Sequence, residues 1–134
     1  MFSHFKVLIA MALTVIGLGG CRRSDTVGEE FVAESNRLQL LTTPAGARLL
    51  DCGAAKRESF SETQEWHVLT TRSWHEYAEA VSRALQPAYR CSSEGRPTTL
   101  CSRSLPGDNL QVELVSEPSA SGLVVRVRLE AHPD

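Results

Sequence analysis

The chain has no excess of positive charge. Fourteen Lys and Arg stand against 16 Asp and Glu, a formal net charge of −2. The basic footprint of a nucleic-acid binder is therefore missing. No apolar run reaches the roughly 20 residues that a membrane-spanning helix needs. There is no G-x-S-x-G, no P-loop, no H-E-x-x-H and no Rossmann glycine pattern. Each of those absences withdraws a local signature that would carry hydrolase, nucleotide or metallopeptidase chemistry. Internal repeats and low-complexity tracts are also lacking, so a solenoid is not expected.

What is there begins with a leader. Met1-Phe2-Ser3-His4-Phe5-Lys6 carries one firm positive charge. The apolar stretch 7–18 follows, broken only by Thr14 and Gly17. Its length and flanks fit the hydrophobic region of a signal peptide rather than a permanent span. Leu18-Gly19-Gly20-Cys21 then closes the run, with a cysteine directly after two small residues.

Those four residues resemble the lipobox of bacterial lipoproteins, and the resemblance covers residues 1–21. It implies cleavage between Gly20 and Cys21 and a diacylglyceryl group on the Cys21 sulfur. It also implies a further acyl chain on the new amino terminus. One acyl chain holds a protein only marginally, whereas two or more anchor it stably. In the Gram-negative sorting pattern of this family, Asp after the cysteine retains a protein in the inner membrane. Arg22 stands there instead, which in a Gram-negative envelope implies the outer membrane, facing the periplasm. The competing readings are an ordinary secretory leader, cut after Gly17-Leu18-Gly19, and a buried N-terminal helix.

Residues 21–134 keep 13 basic and 16 acidic side chains once Lys6 is gone, a charge of −3. That length suits one small domain with a modest core. Three cysteines remain beside Cys21, and an oxidising envelope permits disulfides. Cys91 and Cys101 sit symmetrically about Arg96. If a hairpin turns there, they face each other across it, at a separation that suits a disulfide. Cys52 is then left as the free thiol. A bond from Cys52 to either of the others is the competing arrangement.

Along the chain, residues 21–37 are polar, with Asp25, Glu29, Glu30 and Glu34 in their middle. They read as a lipidated tether with one helical turn near 29–35; a first helix of the domain is the alternative. Residues 38–42 and 47–52 read as short strands, separated by the turn Thr43-Pro44-Ala45-Gly46. Residues 54–58 read as a loop. Over 59–71, Phe60, Trp66 and Val68 share one parity, a half-buried strand. Its first half is weaker, because Glu62 and Gln64 share that parity.

Ser73-Trp74-His75-Glu76 has the form of a capping box. Trp74, Tyr77, Ala78, Val81 and Leu85 follow at one-face helical spacing, and Pro87 stops the helix. Strands are expected at 88–92, 98–103, 110–114 and 123–129. Turns are expected at Pro106-Gly107-Asp108 and at 117–122. In the last strand Leu123, Val125, Val127 and Leu129 form one apolar face, and the other is mostly charged.

The pattern predicts an α+β domain over 38–134, an antiparallel sheet with one amphipathic helix, about 74–86, packed on one face. Cys52, His67 and His75 match no metal-ligand spacing and no Cys–His dyad pattern. No catalytic residue, cofactor or metal is assigned. The expected function is that of a membrane-anchored, non-enzymatic interaction or structural module, with an envelope protein as partner. The alternatives are a thiol-redox protein using Cys52, with His67 or His75 as base, and a small-ligand binder using Trp66 and Trp74.

Overall fold

The computed structural model describes residues 27–92 and 97–133. The expected leader, the expected lipidation site Cys21, residues 22–26 of the expected tether and the tip of the Cys91–Cys101 hairpin lie outside the described residues. Two helices, α1 (Glu29–Leu41) and α2 (Trp74–Leu85), join seven strands. These are β1 (Ala47–Cys52), β2 (Lys56–Glu58), β3 (Ser61–Thr70), β4 (Arg90–Ser92), β5 (Thr98–Leu105), β6 (Asp108–Ser119) and β7 (Gly122–Pro133). All pairings are antiparallel. The order across the sheet is β1-β3-β7-β6-β5-β4, with β2 also on β3, beyond the end of β1.

The register puts every second residue of the central strands on one face. Trp66 lies opposite Val127, which lies opposite Leu114. Leu129 lies between Gln64 and Val112, and Val112 faces Cys101 on β5. These residues are all buried. Full burial of a Val or Leu side chain stabilises by about 1.5–3 kcal/mol relative to exposure. Phe31 and Leu38 of α1 and Tyr77, Val81 and Leu85 of α2 pack into the same cluster. Both helices therefore lie on one face of the sheet. Among the described residues nothing covers the other.

The α+β class stands, but it is strand-dominated, and the described residues carry two helices rather than one. Residues 29–37 do not form a tether. They are the bulk of α1, and 38–41 are its last turn rather than a strand. The reason lies in the stripe Val27, Phe31, Ser35, Leu38 and Thr42, buried at helical spacing. Ser35 donates to the Gln64 side chain on β3. Gln64 also donates to the Gly53 carbonyl at 2.9 Å. Each polar side chain is buried because the other satisfies it.

The start of α1 has no side-chain cap of its own. The Glu62 carboxylate, on β3, accepts the Gly28 amide at 2.6 Å instead. A carboxylate at that end suits the helix dipole. At the other end, Thr42 ties three elements together. Its hydroxyl accepts from Trp66 Nε1 at 3.0 Å, and its carbonyl accepts from Tyr77 Oη at 2.5 Å.

The capping box of α2 is present: Ser73 Oγ accepts the Glu76 amide and Glu76 Oε1 accepts the Ser73 amide, each at 3.2 Å. The expected loop 54–58 contains β2, which forms a hairpin with β3 through Ser59 and Phe60. Phe60 is thus a turn residue, 83% exposed, and not part of the buried strand face. Ser59 adopts φ +51°, the left-handed conformation such a tight turn uses. Strands β6 and β7 run further than their alternation suggested and pair from Asp108↔Pro133 to Ser119↔Gly122. The expected 117–122 turn shrinks to Ala120 and Ser121.

Candidate functional site

The cysteines come first, because they decide which chemistry is open. Cys91 and Cys101 are paired across β4 and β5 and joined by a disulfide. Cys52 is not the free thiol the spacing suggested. It too is disulfide-bonded, and among the described residues no cysteine is free. Its sulfur also lies 3.4 Å from Gln64 Nε2.

The proposed Cys–His pairs are not brought together. Cys52 pairs with Trp66 in the register, whereas His67 is the next residue on β3 and points to the opposite face. There His67 Nδ1 lies 2.8 Å from Asp51 Oδ1. His75 is exposed in the first turn of α2. Trp66 is fully buried in the core and Trp74 packs against its margin on Tyr77. The two tryptophans do not line a shared cleft. Among the described residues no group of three or more His, Cys, Asp or Glu side chains could hold a metal ion.

Two arrangements remain that sequence reasoning missed. The first is a polar knot between α1 and the sheet. Glu34 accepts from Arg37 through two bonds of 3.1 Å and from the Tyr89 hydroxyl. Arg103 approaches it at 3.5 Å and lies over the Tyr89 ring, 5.8 Å from its centre. Burial pushes the Glu34 carboxyl up, but the bonds from Arg37 and Tyr89 and the charges of Arg37 and Arg103 outweigh it and hold the group below the usual carboxylate range. Burial also pushes the Tyr89 hydroxyl well up, so it stays a donor. A carboxylate with its donors filled is a structural clamp, and it leaves no open position for a reacting group.

The second is the uncovered face of the sheet. His67 lies between Asp51 and Glu117, the latter at 3.8 Å from Nε2. Arg126 reaches Glu117 at 3.6 Å, and Arg128 lies 3.9 Å from Glu65 and 3.8 Å from Glu130. Acids and bases intermingle across β1, β3, β7 and β6, with His67 directly opposite Arg126. Pairs this exposed contribute little to stability, roughly 0–1 kcal/mol each. Two depressions of about 300 Å³ flank Arg128. One is lined by Lys56, Glu58 and Glu65, the other by Leu100, Gln111 and Glu113. Both are open and mixed in charge. Neither depression encloses a small ligand.

The signal that could have found the first arrangement is the Glu34–Arg37 spacing, which is a helical pair. The second was visible only as the polar parity of β7. No family model matches the chain, and no curated protein or solved structure matches it.

Proposed function

We propose that the protein is a small envelope lipoprotein, anchored by lipid on Cys21, whose domain is a non-enzymatic interaction or structural module. Leu18-Gly19-Gly20-Cys21 at the end of a short apolar run carries the reading. The Cys91–Cys101 disulfide supports it, since such bonds persist in oxidising compartments outside the cytoplasm. The uncovered sheet face, with its mixed charges, is the surface the domain offers to an envelope protein. Arg22 after the cysteine favours delivery to the outer membrane in a two-membrane envelope.

A second reading is favoured by the bond on Cys52. The chain's remaining cysteine is Cys21, and one sulfur holds either a lipid thioether or a disulfide. An ordinary secretory leader followed by a released, doubly stapled domain is therefore the rival. One experiment separates them. The mature protein is purified from its native membranes and the Cys21 peptide is weighed without reduction. A diacylglyceryl mass on Cys21, with loss of membrane attachment or of processing in Cys21→Ser, is the expected result. A recovered Cys21–Cys52 peptide pair, or a Cys21→Ser variant that matures and sediments with membranes as before, overturns the lipoprotein reading.

A further inference from the structure

Two large apolar side chains are mostly exposed among the described residues, Leu40 on α1 at 77% and Phe60. Phe60 is 83% exposed at the tip of the β2–β3 hairpin. Its place in the fold matters more than its exposure. Two residues on, Glu62 accepts the Gly28 amide. The chain therefore enters the domain beside the base of this hairpin. Between Cys21 and Val27 there are only six residue steps, at most about 20 Å of extended chain. The β5–β6 turn, with exposed Pro106 and Gly107, and the exposed end of β7 at Pro133 lie at the same end of the sheet, because Asp108 pairs with Pro133. A depression lined by Arg57, Phe60, Gly107, Asp108 and Pro133 joins the two tips. The opposite end, at Ala120 and Ser121, is about 35 Å away, the length of a 12-residue strand.

We propose that the Phe60 hairpin is a second membrane contact: its ring enters the headgroup region of the bilayer that holds the Cys21 lipid. The inference rests on the anchor at Cys21. A short tether brings this end of the domain to the membrane but leaves the domain free to roll. A phenyl ring at the tip supplies the fixed point, since exposed apolar side chains bury into the headgroup–acyl boundary. The contact is apolar rather than electrostatic. In the β2–β3 hairpin Lys56 lies 3.6 Å from Glu58, and Arg57 stands opposite Glu62. Glu29 and Glu30 at the start of α1 add negative charge to the same end. Anionic lipid is accordingly not required. Seated this way, the long axis of the sheet rises from the membrane, and the charged face stands clear for a protein partner.

The test uses the full-length lipidated protein, reconstituted into phosphatidylcholine vesicles whose acyl chains are brominated near the headgroup. Phe60→Trp and Ser121→Trp place a reporter at each end, both at exposed turn positions, and the parent protein supplies the background of Trp66 and Trp74. The mass of the Cys21 peptide is checked first. The expected result is loss of emission for Phe60→Trp, none for Ser121→Trp, and the same loss when no anionic lipid is present. A lipidated protein in which Phe60→Trp is not quenched, or in which both reporters are quenched alike, overturns this inference and leaves the anchor standing. A Cys21 peptide without lipid overturns both.

Discussion

Thr42 is the residue at which the domain should be most sensitive to loss of a single oxygen. It is fully buried at the end of α1. Its hydroxyl is the acceptor for Trp66 Nε1 on β3, and its carbonyl is the acceptor for Tyr77 Oη on α2. Thr42→Val keeps the volume, the branch at Cβ and the carbonyl, and removes only the hydroxyl. The Trp66 N–H then stays buried with no partner. An orphaned buried donor costs about 1–3 kcal/mol. The added methyl offsets this by up to about 0.8 kcal/mol of apolar burial. The net loss is about 1 kcal/mol. With a urea slope of about 1–3 kcal/mol/M, the midpoint should fall by roughly 0.3–1 M. Trp66 emission follows the transition directly. Thr42→Ser is the control, because it keeps the acceptor and loses a methyl instead. An unchanged midpoint at unchanged slope for Thr42→Val, or a larger loss for Thr42→Ser, would refute the argument that this hydrogen bond joins α1 to the sheet.

Two other perturbations follow from the structure. Replacing Cys91 and Cys101 together by Ala opens a loop with a sequence separation of 10; in the chain-entropy model this costs about 2–3 kcal/mol, and an unshifted denaturation midpoint would show that the bond staples nothing. Glu34 should make the domain acid-labile: its folded-state carboxyl lies below the ordinary range, so its contribution is full at neutral pH and is lost as the pH falls through that lowered value. Glu34→Gln should therefore lower the midpoint at neutral pH and flatten the acid limb, and an acid limb identical to the parent's would exclude Glu34 as its source.

The elements legible from sequence were those whose buried faces are purely apolar. In α2, Tyr77, Ala78, Val81 and Leu85 fall on one side behind an intact capping box, and that is the helix observed. Leu110, Val112 and Leu114, and Val125, Val127 and Leu129, alternate as the sheet requires. The Cys91↔Cys101 register followed from symmetry about the turn alone. The helix α1 was hidden because two of its five inward positions are polar, Ser35 and Thr42. Each also has a partner on β3, Gln64 or Trp66, which no local pattern displays. Gln64 did the same to β3: a glutamine in the apolar parity weakened a strand whose interior it in fact occupies. The Glu34 knot was lost with α1, since its four members come from three separate stretches of chain.

The pairing of β3 with β7 sets the order in which the domain can be completed. The two strands share nine residue pairs at the centre of the sheet, and Trp66 meets Val127. When such a chain emerges amino-terminus first, α1, β1, β2, β3 and α2 are all present before their central neighbour exists. Local hairpins can form early, but the core cannot close until the last strand arrives, and closing so long a loop is slow. Until then β3 offers an open edge and an apolar face to whatever is nearby. In this wiring the strand that completes the centre of the sheet is the last of the described strands to emerge.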